Sequence, residues 1–325
     1  INGAPLTNFS GKTISLTNDL NLRQYVWVPI GSEILNASNK KFSGTFDGRG
    51  HLIDSLFIEY IGLDDHRYGR TNYGLFGNVD GGKIKRTFVV GGLIQPGSTP
   101  GITRADGPYN IGGLVGYLEG DGALVSGSEA ALKVNLPDAQ GIVVGGLVGQ
   151  MSDGEVHSSM AMPQIVLGNT TTGYAGGLVG SVTDGSVYNS FVNAQFSILS
   201  LTGKYLGGLL GSNANGIVEN CYVNMHDNEL PQNANFDGIV NQVGTNSHID
   251  YVYVMPDQSF NSENAGTHSE NFTAVIDADK LGYMYADNQV YGEYANGKTA
   301  DTAMFLCMNY WVDKMNGSGH KYARW

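Results

Sequence analysis

Short stretches of this chain alternate apolar and polar residues, and the alternation returns at a nearly constant interval. Ser186-Val187-Tyr188-Asn189-Ser190-Phe191-Val192-Asn193-Ala194 is one such stretch, patterned as a strand with one buried face. Between stretches stands a glycine-rich phrase, Gly-Gly-Leu-Val-Gly or a close variant, centred on Leu114, Leu147, Leu178 and Leu209. A weaker copy, Tyr73-Gly74-Leu75-Phe76-Gly77, precedes them, and a decayed one, Asp237-Gly238-Ile239-Val240, follows. The apolar centres lie 39, 33, 31, 31 and 30 residues apart. A fixed period in the range of about 20–50 residues marks a stacked repeat protein.

A second phrase keeps step with the first. An Asp or Asn, usually with Gly, leads to a branched apolar residue and then to a small one. The instances are Asp80…Ile84…Thr87, Asp121…Leu124…Gly127, Asp153…Val156…Ser159, Asp184…Val187…Ser190, Asn215…Val218…Cys221 and Asn246…Ile249…Val252. Upstream, Asp47-Gly48-Arg49-Gly50-His51-Leu52-Ile53 with Leu56 reads in the same register, 31 residues ahead of Ile84. Asp-Gly and Asn-Gly supply turns, because Gly tolerates positive φ and Asx side chains bond the backbone just ahead.

Each period therefore reads as two short strands, a turn and a loop, with residues 92–110, 129–142, 161–174 and 193–205 as variable loops. A unit that small cannot bury a core alone and must stack on its neighbours. The expected fold is all-β, a right-handed single-stranded parallel β-helix in which each repeat is one coil and coils lie about 4.8 Å apart. Leu75, Leu114, Leu147, Leu178, Leu209 and Ile239 should form an inward apolar column, and Thr87, Ser159, Ser190 and Cys221 a column of small residues near a bend.

The ends differ from the middle. Thr13 to Leu20 and Trp27 to Gly31 read as irregular first coils, so residues 1–275 are assigned to one repeat domain. Residues 276–325 are read as a capping segment. There Met304, Met308, Trp311, Val312 and Met315 share one helical face, predicting a helix over 299–316 that closes the stack. Two cysteines, Cys221 and Cys307, are too few for a disulfide framework and are expected as buried thiols.

Charge narrows the partners. The net charge is −12, with only 15% of residues charged, which argues against a nucleic-acid or anionic-membrane surface. No apolar run is long enough to span a bilayer as a helix. The start at Ile1 reads as that of a mature or truncated export product.

The repeated Gly-Leu-Val-Gly resembles the GLUG motif family of bacterial, Bacteroides-type surface proteins. The lead-in Leu16 to Leu20, Trp27 to Gly31 and Phe42 to His51 is similar to the one such proteins carry. The resemblance covers about residues 10 to 255. It implies an adhesin-like exported protein at the outer-membrane exterior or secreted, and it supplies no shared catalytic residues.

Candidate chemistry is sparse. The turn residues Asp80, Asp121, Asp153, Asp184, Asn215 and Asn246 either cap their own turns or line up oxygens for a cation; the capping reading is taken, and no metal site is assigned. Asp64-Asp65-His66-Arg67-Tyr68 is the densest titratable cluster, read as a solvated loop or a ligand contact, since catalytic acids and bases must face each other across several coils. Tyr174 and Tyr205 precede their glycine pairs by two residues and should stack outward, as a sugar platform or as a stabilising aromatic ladder. The remaining histidines lack metal-ligand spacing, and no P-loop, nucleophile elbow or HExxH occurs.

The expectation is a monomeric, non-enzymatic binding module for glycan or host or bacterial surface protein. No cofactor is assigned, and the ligand contacts are Tyr174, Tyr205, Asp64, Asp65, His66 and Arg67. A carbohydrate-active β-helix lyase or hydrolase and a ligand-free structural stalk are the alternatives.

Overall fold

A computed structural model describes residues 8–32, 41–60, 72–96, 109–137, 139–169, 171–198, 200, 202–225, 236–255, 271–275 and 316–317. Regular structure in them is almost wholly β, and the strands pair in parallel. They form a broad sheet of 17 strands and two sheets of six.

One repeat shows how the sequence builds this. Ser186–Tyr188 and Phe191–Ile198 lie in the broad sheet. Lys204–Gly207 follows in a second sheet, ahead of the Gly-Leu turn, and Leu210–Asn213 lies in a third, after it. An Asn215 turn then returns the chain to the broad sheet at Ile217–Glu219. Equivalent residues of successive repeats pair directly: Val125 with Val156, Val156 with Val187, and Val187 with Val218. Ile111, Val144, Ala175 and Leu206 do the same in the pre-turn sheet, and Val115, Val148, Val179 and Leu210 in the post-turn sheet. All of these side chains are buried in one contiguous apolar cluster.

The glycine phrase is a matter of space. A Cβ on Gly145 would lie 1.9 Å from the Val148 carbonyl oxygen, and one on Gly149 would lie 2.6 Å from the Ile111 nitrogen. The strands before and after the turn thus press backbone against backbone. Leu147 and Leu178, between the glycines, are fully buried, and each donates its N–H to the next repeat's leucine carbonyl at 2.9 Å.

The small-residue column is a hydrogen-bond ladder. Thr87 N–H donates to Ser128 Oγ, Ser128 N–H to Ser159 Oγ and Ser159 N–H to Ser190 Oγ, at 3.2, 3.2 and 3.3 Å. Each Oγ in turn donates to the carbonyl two residues back, at 2.7 Å for Ser190. Just ahead of the ladder the chain bends through positive φ at Arg86, Gly127, Ser158, Asn189 and Asn220. Cys221 ends the ladder as a free, buried thiol whose Sγ lies 3.3 Å from the Glu219 carbonyl.

Three expectations need correction. The column contains Ser128, not Gly127, because Val125 rather than Leu124 aligns with Ile84; the turn from Leu118 to Val125 is two residues longer than the one from Val79 to Ile84 that it stacks on. Ile84 pairs with Phe46 and Val89 with Ile53, so the upstream register is longer than 31 residues. The segments read as loops carry long strands, Phe88–Pro96, Glu129–Leu136, Gln164–Leu167 and Phe191–Ile198. Each repeat accordingly has up to five strands, not two. At the N-terminus, Thr13–Ser15 and Leu20–Asn21 join the broad sheet, and Trp27 Nε1 donates to the Leu75 carbonyl at 2.9 Å. The helix expected over 299–316, Trp311 within it and Cys307 lie outside the described residues, save Asn316.

Candidate functional site

Tyr174 and Tyr205 pair directly in the pre-turn sheet and point away from the core. Their rings stack with centroids 5.2 Å apart and planes 23° from parallel. Parallel in-register strands bring like side chains to this distance. Tyr174 Oη donates to Gln242 Oε1 at 3.1 Å, so the outward rows of the pre-turn and post-turn sheets approach each other here. Ser181 and Ser212 lie along the post-turn row with hydroxyls 3.1 Å apart. The two tyrosine faces turn toward each other, and Tyr205 remains 37% exposed. Asp64, Asp65, His66 and Arg67 lie outside the described residues.

The turn carboxylates act on their own backbone. Asp153 and Asp184 each accept the N–H of the following glycine, at 2.7 and 2.8 Å, and Asn246 donates to Asn215 across the stack at 3.3 Å. Asp80 instead faces Lys41, which also holds Glu119 at 2.7 Å. Among the described residues no group of three His, Cys, Asp or Glu is placed to hold a metal.

A second cluster escaped the sequence reading. On the outer face of the broad sheet, Glu155, Ser186, Ile217 and His248 form one row, and His157, Tyr188 and Glu219 the next. His157 Nε2 lies 3.8 Å from Glu155, and His248 Nε2 lies 3.5 Å from Glu219. Burial, with Lys85 nearby, holds the His157 imidazole below its ordinary value. Burial first, then the charges of Glu219 and Glu155, pushes the Tyr188 phenol up despite a hydrogen bond with Ser186. Tyr188 is therefore a neutral ring between two carboxylates, one repeat to either side. The signal was present in the 31-residue spacing of His157, Tyr188 and Glu219. It went unread because the three residue types differ.

Other charged contacts serve the frame. Arg86 grips Asp47 with two nitrogens, Nε at 3.0 Å, and this hydrogen bonding draws the Asp47 carboxyl below its usual range. Lys204 is buried in the column of Tyr109, Ile142 and Gly173. Its Nζ reaches the Asn169 carbonyl at 3.3 Å, and burial lowers its pKa.

A model of the GLUG motif family matches residues 202–228. That segment holds Lys204–Gly207 through Tyr222–Met225, one passage through all three sheets. No curated protein matches the chain.

Proposed function

We propose that this chain is a right-handed parallel β-helix of an exported, adhesin-like protein, and that it recognises a glycan or a surface protein without chemical turnover. The observation that carries the reading is the pairing of like side chains along the outward rows. Tyr174 stacks on Tyr205, Ser181 meets Ser212, Asn224 donates to Asn193 and Gln164 to Gln195. Rows of this kind form a stiff ruled surface with a repeat of about 4.8 Å. Such a surface suits an extended ligand, whereas catalysis needs unlike groups converging on one bond. The motif match over residues 202–228 supports the GLUG resemblance on which the adhesin-like reading draws.

The second reading, a carbohydrate-active enzyme, draws on Glu155, His157, Tyr188 and Glu219, unlike groups gathered from three successive repeats. Glycan-array binding with product analysis separates the two. Binding without released fragments is the expected result. Tyr174→Ala with Tyr205→Ala should abolish that binding while leaving the unfolding midpoint nearly unchanged. Normal binding with an earlier midpoint would make the pair a stability ladder. Fragment release that disappears in Glu155→Gln or Glu219→Gln would replace recognition by catalysis.

A further inference from the structure

Two outward rows run side by side along this stack and leave a crease between them. Asn110, Val143, Tyr174 and Tyr205 follow one another in the pre-turn sheet, each paired with the next. Gln150, Ser181, Ser212 and Gln242 do so in the post-turn sheet. Glycines set the rows against each other. Gly149, Gly180 and Gly211 stand just ahead of Gln150, Ser181 and Ser212. A Cβ on them would lie 2.6, 2.7 and 2.8 Å from the backbone nitrogens of Ile111, Val144 and Ala175. Those residues follow Asn110, Val143 and Tyr174, so each side chain of one row stands beside one of the other. The Tyr174 hydroxyl bridges the rows by donating to Gln242. Tyr174, Gln150, Ser181 and Ser212 are half-buried, and Tyr205 and Gln242 are exposed.

The chemistry of the crease is uniform. None of these side chains is charged, in a chain of net charge −12. Apart from Val143 they are amides and hydroxyls, groups that both donate and accept, as sugar hydroxyls do. At the N-terminal head of the crease two amides lack a donor. Asn110 donates to Asn72 at 2.8 Å. Asn78, paired with Tyr117 in the post-turn sheet, donates to Glu119 at 2.8 Å. Both are more than nine-tenths buried, and the side-chain oxygen of each has no hydrogen-bond partner. An acceptor left in that state calls for an O–H or N–H, whereas a carboxylate or sulfate would set oxygen against oxygen. A peptide fits less well for another reason. It docks on a sheet by adding a strand at a free edge, and two sheets already paired along the stack present no such edge to the crease.

We propose that this crease binds an uncharged glycan chain lying parallel to the stack. Tyr174 and Tyr205 form one wall, and Gln150, Ser181 and Ser212 the other. The rows advance by about 4.8 Å per repeat, close to the length of one pyranose unit, so successive sugars meet equivalent groups. This binding mode rests on the glycan reading above, fixes the ligand as uncharged and adds the post-turn wall to the tyrosine pair.

Titration calorimetry on the full chain tests this, with neutral gluco-, manno- and xylo-hexasaccharides and with hexagalacturonate as the charged counterpart. Saturable binding of a neutral chain is expected, indifferent to added salt, with hexagalacturonate weaker by about tenfold or more. Ser181→Trp, which fills the crease, and Gln150→Ala should each weaken binding by about tenfold or more, with unchanged circular dichroism and unfolding midpoint. Lys83→Ala, on the broad sheet, should bind as the parent does. Hexagalacturonate held as tightly as the neutral chains would overturn the proposal and leave glycan recognition standing. So would a neutral chain held equally by the parent, Ser181→Trp and Gln150→Ala. No saccharide bound at all would remove the glycan reading and the crease with it.

Discussion

At the scale of single residues, the hydroxyl ladder shows how one atom serves two neighbours. Ser159 Oγ accepts the N–H of Ser128 and donates to the carbonyl of His157. Ser159→Ala leaves a buried N–H without its acceptor and should cost about 1–3 kcal/mol, measured by urea unfolding. Cys221→Ser extends the ladder by a hydroxyl and should be tolerated. It should also remove an alkaline weakness. Burial pushes the Cys221 thiol up to about 12. An unfolded thiol ionises at lower pH, so between the two values the unfolded state has lost a proton that the folded state keeps. Stability therefore falls as pH rises through that window, and the variant should lose that part of the slope. Lys204 is the opposite case, a cation held in an apolar column. Lys204→Met keeps the length, removes the desolvated charge and should raise stability at neutral pH by about 1 kcal/mol.

At the scale of the element, the Gly-Gly-Leu-Val-Gly turn is governed by contact between backbones. Gly145→Ala drives a methyl into the Val148 carbonyl and the Gly180 nitrogen. Neither can retreat freely, because both belong to paired strands of the post-turn sheet, Val148–Met151 and Val179–Val182. A loss of about 3 kcal/mol or more is expected in thermal unfolding, or failure to fold. Gly122→Ala is the matched control. Its added Cβ meets nothing within 4 Å, though its φ of +72° disfavours a side chain, so a loss of about 1 kcal/mol is expected. The turn was legible as a recurring phrase. The long strands that precede it were not, although Glu129 to Leu136 alternates in burial along its whole length. Their sequences vary between repeats, so no recurring phrase marks them as strands. Only the inward positions, Ala130 and Val134 with Ala161 and Ile165, share a chemistry there.

At the scale of the whole molecule, each repeat touches chiefly the one before and the one after. Deleting Asp153 to Thr183, 31 residues, would set Val187 on Val125 in the place of Val156. The shortened chain should fold to the same β-rich spectrum, with a urea m-value lower by about a tenth. Loss of cooperative unfolding would mean that the repeat carries contacts beyond its neighbours. Surface chemistry at this scale is set by the stack itself, which turns residues 31 apart into immediate neighbours.

The amino-acid sequence by itself determined the β class, the period, the inward leucine column and the places of the Asx turns. Each of these is a local demand that recurs: alternation for a half-buried strand, glycine where backbones touch, Asx where the chain turns. The tertiary structure decided what depends on lateral pairing. It placed Ile84 on Phe46 across an insertion, put Ser128 rather than Gly127 in the ladder, and brought Glu155, His157, Tyr188 and Glu219 onto one face. Those relations follow from the register between strands, and a change in turn length shifts that register without altering any local pattern.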